Sequence, residues 1–115
     1  MIINKISYPT PLSNVRCVEN DNIDVFVELE DGYTYTLVLI TPQNIKHLME
    51  KNKKCYFDVG HPMIIVKELT QKCINSAIKA FSEGDAYWLK EYHLSGSFDI
   101  KLLDDMLREQ MSELD

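Results

Sequence analysis

Ile23-Asp24-Val25-Phe26-Val27-Glu28-Leu29-Glu30-Asp31-Gly32-Tyr33-Thr34-Tyr35-Thr36-Leu37-Val38-Leu39-Ile40 is the stretch whose reading decides the fold. Two runs rich in β-branched, aromatic and aliphatic residues flank an Asp-Gly pair, a strong local signal for a β-hairpin. With Asp31 and Gly32 at both central positions, a type I′ turn is expected. That turn sets a register: Glu30 opposite Tyr33, Glu28 opposite Tyr35, Val27 opposite Thr36 and Val25 opposite Val38. Cross-strand partners share a face. One face then carries Ile23, Val25, Val27, Leu29, Thr34, Thr36, Val38 and Ile40, and reads as core. The other carries Asp24, Phe26, Glu28, Glu30, Tyr33, Tyr35, Leu37 and Leu39, acidic and aromatic near the turn.

Working outward, Ile2 to Tyr8 predicts a strand that Pro9-Thr10-Pro11 ends, since proline cannot donate to a ladder. Asn14 to Glu19 predicts a second strand and Asn20-Asp21-Asn22 the turn after it. Past the hairpin, Thr41-Pro42 has the form of an N-cap and first helical residue, with Ile45, Leu48 and Met49 as the inward stripe. Tyr56 to Val59 and Met63 to Val66 read as short strands about Gly60-His61-Pro62, the second as a central strand covered on both faces.

Thr70 predicts a further cap, with Leu69 and Ile74 spaced for a hydrophobic staple and Ala77, Ile78 and Phe81 continuing the stripe. Gly84 ends that helix. Asp85 is placed to cap a short helix over Ala86 to Leu94, turning Trp88, Leu89 and Tyr92 inward, before Ser95-Gly96-Ser97 breaks it. A last amphipathic helix from about Asp99 to Met111 turns Ile100, Leu103, Leu107, Met111 and Leu114 inward. Strands early and helices late predict a single α+β domain over residues 1–115. The expected architecture is an antiparallel sheet of about five or six strands, begun by an N-terminal meander and packed by three or four mostly C-terminal helices.

Composition narrows the function classes. The net charge is −6, which argues against general nucleic-acid binding, a task for Lys and Arg on phosphates. No run approaches a membrane span, and Met1-Ile2-Ile3-Asn4-Lys5 lacks the layout of a secretory signal, so a cytoplasmic protein is expected. Cys17, Cys55 and Cys73 include no Cys-x-x-Cys pair and read as three buried, reduced thiols. Neither a metal site nor a cofactor is expected: no glycine-rich phosphate loop, Walker-type loop or His-Glu-x-x-His occurs.

Enzyme chemistry has two thin candidates. Cys55, Asp58 and His61 have the composition of a nucleophile set but crowd around one short turn, whereas such sets are usually assembled from distant segments. Asp58, His61 and His93 would ligate a metal only if the fold united them; as surface turn residues they need no further account. Asp85, Glu91 and His93 surround Trp88 and Tyr92, but helix spacing already explains the aromatics as core and Asp85 as a cap. No catalytic residue is therefore assigned.

Charge is segregated along the chain. From Cys17 to Ile45 there is no Lys or Arg, while Glu19, Asp21, Asp24, Glu28, Glu30 and Asp31 all fall there. Lys46, Lys51, Lys53 and Lys54 follow at once, and the C-terminal stretch is acidic again. Carboxylates beside tyrosines suit the capture of a basic protein surface. The candidate partner-binding set is Asp24, Glu28, Glu30, Asp31, Tyr33 and Tyr35; the competing reading is a solvated acidic face that confers solubility.

Three segments carry a resemblance: Glu30-Asp31-Gly32-Tyr33-Thr34-Tyr35-Thr36, Thr41-Pro42-Gln43-Asn44-Ile45 and Ile64-Ile65-Val66-Lys67-Glu68-Leu69-Thr70. In these, from Ile23 to Tyr92, the chain resembles a class of small bacterial proteins; in size, acidity and layout it is also similar to immunity proteins of contact-dependent and other polymorphic toxin systems. The resemblance implies a protein that binds a toxin domain, often a basic nuclease, and blocks it stoichiometrically. The segments are a turn, a cap and a strand, so no family active site is carried over. The alternatives are a small enzyme or a structural or regulatory subunit of a larger assembly.

Overall fold

The computed structural model describes residues 1–58, 63–97 and 100–114. It is an α+β fold, with a four-stranded sheet in the order β1-β2-β3-β4. The strands are β1 (Ile3–Ser7), β2 (Asn22–Leu29), β3 (Thr34–Ile40) and β4 (Ile64–Ile65). The helices are α1 (Pro42–Lys51), α2 (Gln71–Phe81), α3 (Glu83–Ser97) and α4 (Ile100–Leu114). Among the described residues no helix is long and apolar enough to cross a membrane.

The hairpin forms as expected, but one residue out of the expected register. Leu29 N–H donates to Tyr33 O at 3.1 Å and Gly32 N–H to Leu29 O at 3.0 Å, so three residues close the loop instead of two. Gly32 takes φ 84, and Asp31 is not among the positive-φ residues. This is a tight turn followed by a left-handed glycine, the bulged three-residue connection, and not type I′. Asp31 supports this turn: its Oδ1 accepts the Tyr33 N–H at 2.9 Å, the local bond to the backbone two residues on.

The slip inverts β3. Val27 faces Tyr35, Val25 faces Leu37 and Ile23 faces Leu39. The inward row of β2 is the expected one, with Val25, Val27 and Leu29 at 0% exposure, but it pairs with Tyr35, Leu37 and Leu39, all buried. Thr34 and Thr36 are exposed on the opposite face. Burying Tyr-Leu-Leu removes more apolar surface from water than burying Thr-Thr-Val, at roughly 25 cal/mol per Å², and a shift of one residue exchanges the rows.

The sheet also differs from an antiparallel set of five or six. Leu12–Asn14 is a short 3-10 turn, and no strand forms between it and β2. No strand forms over 56–58 either, while residues 59–62 lie outside the described residues. α1 carries the chain back across, so β4 runs parallel to β3. β4 is an edge strand of two residues with Ile65 62% exposed, not a covered central strand. The other edge, β1, is interrupted by a bulge between Ile3 and Lys5, which blunts edge-to-edge pairing.

Both predicted caps are present. Thr41 Oγ1 accepts the Asn44 N–H at 3.3 Å, and Thr70 Oγ1 accepts the Cys73 N–H at 3.3 Å. Asn44 bridges Asn22 and Asn20 through its side-chain amide at 2.9 and 3.0 Å, tying α1 to the turn before β2. Leu69 and Ile74, the staple pair, are both buried. With Ile78 and Leu89 they close the core over the inward face of the sheet.

α3 has a backbone break at its start, where Gly84 takes φ 64 and Ala86, fully buried, takes φ 57. It continues helical through Ser97, past the expected break at Ser95-Gly96-Ser97. Leu89 is inward as expected, but Trp88 is 55% exposed. On α4, Leu107, central in its predicted inward stripe, is 49% exposed. The thiols also depart from expectation: Cys17 and Cys55 are exposed and only Cys73 is partly buried. Both exposed cysteines sit outside the helices and strands.

Candidate functional site

The six candidate residues do not form one patch. Asp24 and Glu28 lie on the outer face of β2, opposite Val38 and Thr34. Tyr35 points to the inner face and is 8% exposed. The expected pairs of Glu28 with Tyr35 and Glu30 with Tyr33 are therefore absent. What remains together is the hairpin tip: Glu30, Asp31 and Tyr33, with Tyr35 beneath them.

Local bonds set the tip. Glu30 accepts the Ile2 N–H at 3.1 Å through Oε1, while its own N–H donates to Ile2 O at 2.9 Å. This ties the tip to β1. Asp31 uses both carboxylate oxygens: Oδ1 accepts the Tyr33 N–H, and Oδ2 accepts the Tyr35 hydroxyl at 2.7 Å. The Tyr35 hydroxyl and then the Tyr33 N–H hold the Asp31 carboxyl below its ordinary range. Burial first, then the hydrogen bond to Asp31 and its charge, push Tyr35 up to about 12. Tyr33 joins this network only through its backbone N–H and is 70% exposed.

α3 completes the site. His93 Nδ1 accepts the Thr36 N–H at 3.2 Å, and the His93 ring meets Tyr35 edge-on at 5.2 Å between centroids. Tyr33, Thr34, Tyr35, Lys90, His93 and Leu94 line a cleft of about 250 Å³ between hairpin tip and helix. Lys90 and Leu94 are not expected here from the sequence, which sets His93 beside Asp85 and Glu91, or with Asp58 and His61. Nothing local signals the juxtaposition, because 57 residues separate Thr36 from His93.

The cleft is poorly equipped for acid–base chemistry. The Tyr35 proton is committed to Asp31, and His93 Nδ1 is occupied by a backbone donor. The site offers an exposed ring, ordered carboxylates and an apolar recess, which suit recognition.

The other candidates are dispersed. Cys55 is exposed and Asp58 pairs with Lys54 at 3.9 Å, while His61 lies outside the described residues. Asp85 sits in the break at the start of α3, and among the described residues no side-chain cap from it is observed. Among the described residues no group of three or more His, Cys, Asp and Glu side chains is arranged to hold a metal. No family model, no curated protein and no solved structure matches the chain.

Proposed function

We propose that the chain is a protein-binding module that engages a basic partner through the hairpin tip and the adjoining edge of α3. The observation that carries this reading is Tyr33, 70% exposed beside the exposed carboxylates of Glu30 and Asp31. Rings of this kind supply contact area at small entropic cost, and Asp31 is already oriented by two internal hydrogen bonds. The net charge of −6 favours encounter with a positive surface. The partner that fits this chemistry and the resemblance is a basic toxin domain, nuclease-like in charge, which the module occludes one to one.

The experiment is binding kinetics against the product of a toxin gene adjacent to this one, at two salt concentrations. Tyr33→Ala should speed dissociation, and Glu30→Lys should slow association and reduce its salt dependence. Asp24→Lys, on the outer face of β2 opposite Val38 and away from the tip, is the control and should bind as wild type. If Tyr33→Ala and Glu30→Lys bind unchanged while remaining folded, the tip is not the interface.

A further inference from the structure

Part of the outer edge of β3 is held by a side chain where a strand would continue the sheet. Leu29 N–H bonds Tyr33 O in the ladder to β2, and antiparallel bonding alternates along a strand. Tyr33, Tyr35, Leu37 and Leu39 therefore aim their backbone groups at β2, while Thr34, Thr36 and Val38 aim theirs away from it. Among the described residues β4 is the strand on that side, and it pairs with Leu39 and Ile40 alone. The Thr36 N–H meets His93 Nδ1 of α3 instead, at 3.2 Å.

A ring nitrogen that accepts carries no proton, so this bond fixes the neutral imidazole with its hydrogen on Nε2. Imidazolium donates from both nitrogens, and no rotation of the ring returns an acceptor to Thr36. A proton on Nδ1 therefore sets one N–H against another. β3 and its turn face His93 with Tyr35, edge-on at 5.2 Å, with Tyr33 across the cleft, and with Asp31 bonded to the Tyr35 hydroxyl. α3 itself adds Lys90, one turn earlier, and Glu91. α2 meets α3 through Phe81 on Tyr92 at 5.6 Å. Lys90 has no acceptor to offer in place of Nδ1, and Asp31 already accepts two hydrogen bonds.

We infer that His93 is a proton-operated latch between α3 and the outer edge of β3, closed by the neutral ring and released when Nδ1 takes up a proton. Imidazole makes that change between about pH 5 and 8. Release is local. Leu89, fully buried, and Tyr92, packed on Phe81, keep α3 on the core. What moves is the margin of the cleft formed by His93 and Leu94, which draws away from β3 and admits water to the Thr36 N–H. The latch is a property of the chain alone and does not depend on how the hairpin tip functions.

NMR on the isotope-labelled full chain, from about pH 8 down to about pH 5, tests the latch. At the alkaline end His93 should show the Nε2–H tautomer, with the Thr36 amide protected from hydrogen exchange. As the His93 signals titrate, the Thr36 protection factor should fall about tenfold. The ladder amides of Val25 and Val27 should keep their protection, and circular dichroism should not change. His93→Asn places an amide oxygen that does not titrate near the Nδ1 position, and should keep Thr36 protected across the range. His93→Phe keeps a ring without the acceptor, and should leave Thr36 unprotected at both ends. Thr36 protection that holds while wild-type His93 titrates would overturn the inference. So would a His93→Asn variant that loses protection over the same range, which would assign the pH dependence to another group.

Discussion

The Tyr35 hydroxyl donates a 2.7 Å hydrogen bond to the Asp31 carboxylate across the hairpin loop, from the buried face of β3 to its exposed tip. Since a one-residue change of register would turn Tyr35 to the other face, this bond is a signature of the bulged turn and links the core to the surface proposed for binding.

That link titrates. Tyr35 is raised from 10.0 to about 12 in the folded protein. The unfolded chain therefore releases this proton first as pH rises. The stability it represents is complete below about pH 10 and is lost as pH climbs through about 12. Asp31→Ala removes the hydrogen bond and the charge but leaves the burial. Its most alkaline tyrosine transition, read by ultraviolet difference absorbance, should fall while staying above the ordinary value. An unchanged transition would mean that Asp31 does not hold Tyr35.

Gly32 takes φ 84, and a Cβ there would meet nothing within 4 Å. Its replacement is penalised by backbone conformation and not by a clash. Gly32→Ala and Gly32→Val should each cost about 1–2 kcal/mol in denaturant melts, Val at the upper end. A cost much larger than this would point to a steric role that the geometry does not show.

Lys53 occupies the position after the α1 C-cap at φ 55. Lys54 N–H reaches Met49 O at 2.9 Å and Lys53 N–H reaches Glu50 O at 3.2 Å, the paired bonds of a Schellman ending. Glycine is the usual residue there. Lys53→Gly should stabilise the domain by about 0.5–1 kcal/mol, seen as a higher thermal midpoint. A lower midpoint would contradict the left-handed assignment.

Tyr8 packs against the core with its hydroxyl buried and, among the described residues, without a hydrogen-bond partner. Burial raises its pKa above 10.0. Removing an unsatisfied polar atom should be neutral or favourable, so Tyr8→Phe should change stability by about 0 to +1 kcal/mol. A loss beyond about 1 kcal/mol would reveal a partner for that hydroxyl.

Elements whose bonds close within a few residues were legible in the chain itself. Thr41 and Thr70 cap helices through amides three positions on, Leu69 and Ile74 are both buried as a staple pair, and Asp31-Gly32 turns the chain into a hairpin. The tertiary structure decided the rest. Asp-Gly is compatible with a two-residue or a three-residue loop, which differ in whether Asp31 takes positive φ. The choice goes to whichever β3 row, Tyr35-Leu37-Leu39 or Thr34-Thr36-Val38, meets the cover supplied by α2 and α3. Trp88 and Leu107 show the same limit, since helical periodicity predicts an inward stripe but not whether anything lies opposite it. His93 beside Tyr35 is likewise a fact of packing: hydrophobic burial has no direction along the chain, so which distant residues share a site is settled only when the layers close.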